Sequence, residues 1–164
     1  MLGEVYDGNG VVVAPPQKED RALWDAITVA LVVPPPQGDE EPTGLNVVIE
    51  RASSGLRQSG QDFETLQRQE RTVDHQPAQM LKARYHEKSN GRDWIEEMVF
   101  IEGPDNEIYS VALKCAPQNL TRLEPVLSRV LSGWTLSESS VRTDDEAPRQ
   151  PATPKKVTPP GSSH

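Results

Sequence analysis

The amino-acid sequence predicts an α+β domain, in which an antiparallel β-sheet carries a C-terminal helix packed on one face. Three β-rich segments follow one another between residues 78 and 115. The connections between them hold turn residues, with Asn90-Gly91 in the first and a Gly-Pro-Asp-Asn sequence at 103–106 in the second. An amphipathic segment at 120–134 then follows. Strands that run in succession before a helix are typical of this class.

The two turns set a register for this three-stranded meander. A two-residue turn at Asn90-Gly91 makes Tyr85 face Glu96, and a second turn in which Glu102 faces Glu107 makes Met98 face Val111. One side of the sheet then collects Leu81, Ala83, Tyr85, Trp94, Met98, Phe100, Tyr109, Val111, Leu113 and Cys115. Glu96 is the single charge on that side, so we expect it to form the core.

The segment after the meander supplies a cover for that side. Thr121 with Glu124 has the pattern of a capping box, and Gly133 is a suitable end of a helix. Apolar residues recur at helical spacing at Leu120, Leu123, Leu127, Val130 and Leu131. We therefore expect a C-terminal helix whose apolar stripe packs on the sheet.

The same register places a small apolar group on the opposite side of the sheet. We call it the aliphatic strip, and it consists of Met80, Val99, Ile101 and Ile108. Either another segment of the chain covers the strip, which is the more common arrangement, or the strip binds a protein partner or a second copy. Replacing Ile101 by Asp would unfold the protein in the first case and abolish binding in the second.

The N-terminal half is predicted as further strands. These lie at 11–14, at 26–33 before three prolines, and at 45–51, where Leu45, Val47 and Ile49 alternate. Residues 52–71 contain two glycines and little amphipathic pattern, so no long helix is expected there. Residues 137–164 are rich in Pro, Ser and charge, which predicts a disordered tail after a domain at 1–136.

The charge and the hydropathy pattern exclude several classes of function. The net charge of −8 and the lack of a basic run argue against nucleic-acid binding. The longest apolar stretch, 26–33, is far shorter than the ~20 residues that span a bilayer. With no signal-peptide pattern, the sequence predicts a cytoplasmic protein without stable membrane insertion.

No motif in the sequence indicates catalysis, a cofactor or a metal. His75 and His86 lack the spacing of a zinc site, and there is no phosphate-binding loop or nucleophile elbow. Cys115 falls on the core side of a strand, where a buried thiol acts as a small hydrophobe. The prediction is a protein that is not an enzyme.

Residues 5–136 resemble the DcrB-related family, whose fold is shared with the PsbP proteins of photosystem II. The resemblance rests on the order of weak motifs: VYDGNGVVVAPP, then EDRALWDAITVALVV, LNVVIER, TVDHQPAQMLKARY, RDWIEEMVFIEGPDNEIYSVALKCAP and LEPVLSRVLSGW. It implies a PsbP-like α+β fold. The family's middle helix is expected to be shortened or lost at 52–71, and His75-Gln76 replaces the glycine of its turn.

Family members without a signal peptide include the Eag chaperones of type VI secretion systems. The resemblance implies a non-catalytic chaperone or adaptor, which dimerises and holds apolar helices of a secreted effector. Under it, the aliphatic strip would be a holding surface or a dimer contact. The alternative is an interaction domain of a larger assembly that docks through its Pro-rich tail at 137–164.

Overall fold

The computed structural model describes residues 25–135 with their side chains and, before them, only the backbone of two strands, Leu2–Tyr6 and Gly10–Ala14. The predicted disordered tail at 137–164 therefore lies outside the described residues. The described strands are β1 (Leu2–Tyr6), β2 (Gly10–Ala14), β3 (Ala26–Val33), β4 (Gly60–Val73), β5 (Gln76–Glu87), β6 (Arg92–Glu102) and β7 (Ile108–Cys115). The helices are α1 (Leu45–Ser59) and α2 (Leu120–Ser132), the latter preceded by a 3-10 turn at Pro117–Asn119.

The strands form one antiparallel sheet in the order β1-β2-β3-β7-β6-β5-β4. The sheet carries α2 on one face, as predicted, and α1 on the other. The α+β class and the helix-on-sheet arrangement are thus confirmed. Because each face has its own helix, the sheet separates two apolar cores.

The two cores draw on alternate residues of the same strands. The core under α2 contains Ile27, Val73, Ala78, Met80, Val99, Ile101, Val111, Leu113, Cys115, Leu127 and Leu131. The core under α1 contains Val48, Ile49, Leu81, Met98, Phe100 and Ile108. A sheet that is buried on both sides explains why β6 is apolar at every position from Met98 to Ile101.

The strand predicted at 45–51 is wrong, because these residues form the first half of α1. Their apolar residues fit a strand over seven positions, but they continue at helical spacing through Ala52 and Leu56 into the core. A helix of 15 residues is present, and it begins earlier in the chain than residues 52–71, where a shortened or lost helix was expected.

The expected register of the first hairpin is shifted by two residues. Tyr85 pairs with Trp94, and residues 88–91 form a longer turn than the two residues expected. A shift of two preserves which side chains of β5 and β6 share a side. The expectation that the C-terminal helix covers the side with Leu81, Met98 and Phe100 is wrong, because these residues pack under α1.

The expected register of the second hairpin is wrong by one residue. Glu102 pairs with Ile108 and Met98 with Ala112, because Glu107 belongs to the turn. Its carbonyl accepts a bond from Gly103 N at 2.8 Å, and its buried carboxylate accepts one from Asp105 N at 2.8 Å. The slip separates Tyr109, Val111, Leu113 and Cys115 from the side of Leu81 and places them on the side of Val99, which α2 covers. It places Ile108 on the side of Leu81, which α1 covers.

Candidate interaction surface

The aliphatic strip is not a surface of the folded protein. Met80 is 4% exposed, and Val99, Ile101 and Ile108 are 0% exposed. The first three pack in the core under α2, while Ile108 packs under α1. Of the two alternatives for the strip, cover by the same chain is the one found, so the assignment of these residues to a protein-binding surface is wrong. The helix α2 covers Met80, Val99 and Ile101, and the slip in β7 separates Ile108 from them.

Part of the sheet face that carries α1 is not covered by this helix. On its face of the sheet, α1 packs across β4, β5 and β6. Beyond these strands the same face continues onto β7 and β3, where Thr28 pairs with Ala112 and Ala30 pairs with Ser110. We call this area the shelf, and its residues are Thr28, Ala30, Ser110, Ala112 and Lys114.

The width of the shelf matches that of one helix. Neighbouring strands lie about 4.8 Å apart, so two strands make a strip about 10 Å wide. A helix with its side chains is about 10–12 Å across. In the described part of the chain, no helix other than α1 packs on this face. There is therefore room for one additional helix alongside α1.

Apart from Lys114, the side chains of the shelf are small, which allows a close approach. Thr28, Ala30 and Ala112 are half-buried, and Ser110 is buried. Ala52 and Leu56 of α1 are half-buried apolar residues at the edge of the core that Ala112 also contacts. A helix on the shelf would thus meet an alanine-rich floor and an apolar side wall.

One end of the shelf is polar. Lys114 Nζ lies 4.7 Å from the centroid of the Trp94 ring and 3.4 Å from Glu87 Oε2. Glu87 Oε2 also accepts hydrogen bonds from Trp94 Nε1 at 2.7 Å and from Asn90 Nδ2 at 2.6 Å. These contacts fix the lysine over the indole, where the ring quadrupole attracts it.

A half-buried acid, Glu96, lies next to this lysine. The Tyr85 hydroxyl donates a hydrogen bond to Glu96 Oε1 at 2.6 Å. Burial raises the pKa of Glu96, although the Tyr85 hydrogen bond and Lys114 act in the opposite direction. Burial also raises the pKa of Tyr85, and the nearby Glu96 adds to the effect.

The residues whose side chains could support catalysis or metal binding do not converge. Among residues 25–135, no group of three metal-ligating side chains lies together. His86 Nδ1 lies 3.0 Å from Asp93 Oδ1 on the surface, and His75 lies in the β4–β5 turn. Cys115 is buried, and burial raises the pKa of its thiol to about 11, so the thiolate needed for nucleophilic attack is suppressed.

No signal in the sequence marks the shelf. Alanine, serine and threonine in strands carry no pattern that distinguishes a docking floor from an ordinary solvated face. The pairing of β3 with β7 joins residues as distant in the chain as Thr28 and Ala112, and it follows from no local rule. The error in the β7 register then assigned Ala112 and Lys114 to the wrong face.

No protein-family model and no curated protein matches the chain. Among solved structures, it is similar to the Pseudomonas aeruginosa protein PA94, a putative regulator whose function is unknown. The two are 17% identical, the match covers 81% of this chain and 86% of that one, and the TM-score is 0.60. At this identity the likeness concerns the fold alone.

Two further similar structures have lower scores. LpqN of Mycobacterium tuberculosis, which is involved in cell envelope biogenesis, is 16% identical over 76% of this chain and 68% of its own, with a TM-score of 0.47. The PsbP protein of Synechocystis, CyanoP, is 14% identical over 80% of this chain and 84% of its own, with a TM-score of 0.49. DcrB membership and the Eag chaperone role stay predictions.

The two described helices are short relative to the thickness of a bilayer. Neither α1 nor α2 is long and apolar enough to cross a membrane.

Proposed function

We propose that this domain is a non-catalytic protein-binding module, which receives one apolar or amphipathic helix of a partner protein on the shelf. The observation that carries the proposal is that β7 and β3, the two strands next to those covered by α1, are together as wide as one helix and carry no described helix on this face. Packing a helix there would extend the helix layer that α1 begins. Apolar area removed from water would stabilise the complex by about 25 cal/mol per Å² before the costs of association.

The polar end of the shelf would give such a complex its orientation. Lys114, held by Glu87, can pair with a carboxylate or with the C-terminal carbonyl groups of a bound helix. The half-buried alanines favour a partner helix with large aliphatic residues on the face that it buries. The shelf thus combines an apolar floor with a fixed charge at one end, as binding sites commonly do.

The finer role is that of a chaperone for a secreted effector. A helix destined for a membrane stays soluble only while its apolar face is covered, and a sheet with room for one helix can provide that cover. This part of the proposal is supported by the sequence resemblance to the Eag chaperones. A homodimer would follow if the helix came from a second copy of the chain.

A designed peptide tests the proposal without knowledge of the natural partner. The probe is a helix of about five turns with Leu at every third or fourth position and Lys or Glu elsewhere. We expect it to shift the backbone amide NMR signals of β3 and β7. Ala30→Lys places a charge on the floor and should weaken binding about tenfold or more, which corresponds to about 1.4 kcal/mol.

The matched control is Ser54→Lys, on the exposed side of α1. It should leave the affinity for the peptide unchanged. Shifts confined to β4, or equal affinities for the two variants, would overturn the proposal. Removal of residues 137–164 should also leave binding intact; loss of binding on truncation would instead favour docking through the tail.

A further inference from the structure

A single lysine faces two carboxyl groups where α2 meets the sheet. Lys82 on β5 pairs with Glu97 on β6, and both side chains lie on the face of α2. The ammonium group contacts Glu124 Oε1 of α2 directly and lies 3.7 Å from Glu97 Oε2. The more exposed acid therefore takes the hydrogen bond, and the more buried acid receives only a longer ion pair.

Glu97 is buried with few polar contacts that could stabilise its charge. The residue is 8% exposed, and its Oε2 atom has no hydrogen-bond partner among the described residues. Its neighbour on β7 in the register is Leu113, which offers no polar group. A buried carboxylate oxygen without a hydrogen bond is costly, and such a group commonly takes up a proton. The Glu124 side chain lies within hydrogen-bonding reach of Glu97, so a proton can lie between the two carboxyl groups.

Charged and titratable groups reach this position from every element packed around it. They are Lys82 from β5, Glu124 from α2, Arg71 from β4 and Cys115 from β7. Asp25, just before β3, adds negative potential at Cys115. Lys82 and Arg71 favour the ionised form of Glu97, whereas Glu124 opposes it.

The two acids are shifted in opposite directions. Burial raises the pKa of Glu97, and the negative charge of Glu124 adds to this effect. The hydrogen bond from Lys82 lowers the pKa of Glu124. Neighbouring carboxyls whose pKa values are pushed apart by their surroundings typically bind one proton between them and titrate as a pair.

We propose that Glu97 binds a proton that it shares with Glu124, and that this bound proton holds the first half of α2 to the sheet. When the proton leaves to solvent, two negative carboxylates face one ammonium group beneath the helix. The contact is weakened by repulsion and by the burial of a charge, so the start of α2 becomes the pH-sensitive part of the fold.

The sign of the pH dependence follows from the direction of the shift. Because the folded protein holds the Glu97 proton more tightly than the unfolded chain, the stabilising contribution is complete below the ordinary carboxyl pKa of about 4.3. It is lost as the pH rises from there through the raised pKa of folded Glu97. After division by the intrinsic base-catalysed exchange rate, the protection of the α2 amides from hydrogen exchange should fall over the same range.

The direct test is an NMR titration of the side-chain carboxyl carbons in the full chain. We expect Glu97 to titrate above the ordinary range of a glutamate and Glu124 below it. Glu97→Gln mimics the neutral acid, so this variant should fold and should lose the decline in stability on the alkaline side. A Glu97 signal that titrates at or below the ordinary value would overturn the proposal.

Glu124→Gln provides a control with the opposite expectation. It frees Lys82 to pair with Glu97, so the Glu97 signal should move to lower pH than in the unaltered protein. If Glu97 titrates at the same pH in both proteins, the two acids do not share a proton. None of these outcomes depends on the shelf or on peptide binding, so this proposal and the proposed function can fail separately.

Discussion

Ile101 shows why the apolar character of a residue does not reveal whether a partner or the same chain covers it. Its side chain is fully buried under α2, in the core that contains Val99 and Leu127. The sequence shows that the strip is apolar. Whether the same chain covers the strip depends on the face of the sheet against which α2 packs. The face that α2 covers follows from the register of β7 against β6. A shift of this register by one residue moves every side chain of β7 to the other face of the sheet.

The burial of Ile101 gives a prediction at the scale of one residue. Ile101→Asp places an unpaired charge in the core and should lower the free energy of unfolding by about 3–5 kcal/mol or more. The measurement is urea unfolding followed by circular dichroism. Val47→Asp is the matched control because Val47 is 45% exposed on α1, and it should change the stability by no more than about 0.5 kcal/mol. Equal effects of the two substitutions would contradict the burial of Ile101.

At the scale of elements, local signals predicted the meander and α2 but not α1 or β4. The apolar stripe from Leu120 to Leu131 has a helical period over its whole length, so no alternative competes with it. The first seven residues of α1 fit a strand equally well, and only Ala52 and Leu56 extend the helical pattern. β4 is polar on both sides because it lies at the edge of the sheet, where charges also discourage further strand pairing.

The turn between β4 and β5 allows a prediction about the stability of one element. Asp74 and His75 connect Val73 to its partner Gln76, with φ values of 48° and 62°. Two residues of positive φ define the type I′ hairpin, whose preferred second residue is Gly. His75→Gly should therefore raise the free energy of unfolding by about 0.5–1 kcal/mol, because it relieves the cost of the left-handed conformation.

Gly91 provides the comparison for that turn. Its φ is 68°, and a Cβ there would meet nothing within 4 Å, so Gly91→Ala tests conformation without a steric clash. It should lower the stability by about 1 kcal/mol. Thermal unfolding of both variants checks the pair. A loss of stability in His75→Gly would show that the histidine side chain makes a contact worth more than the relief of strain.

At the scale of the whole molecule, the arrangement of helices defines the function that we propose. Two helices on opposite faces bury both sides of the central strands, and this excludes the aliphatic strip as a docking surface. The same arrangement leaves β3 and β7 beside α1, at a place that no sequence pattern marked. The fold class could be predicted because it depends on the order of elements, whereas the shelf depends on long-range strand pairing.

Thiol reactivity on the floor of the shelf decides whether this surface is open to a partner. Ala112→Cys introduces a thiol there, and the native Cys115 on the opposite face, with 0% exposure, serves as the internal protected thiol. We predict that the introduced thiol reacts with a small thiol reagent at a rate comparable with that of an exposed Ser54→Cys variant, and that the helical peptide slows the reaction. If the introduced thiol were as unreactive as Cys115 in the folded protein without any peptide, the chain would cover its own shelf, and the proposed binding function would be contradicted.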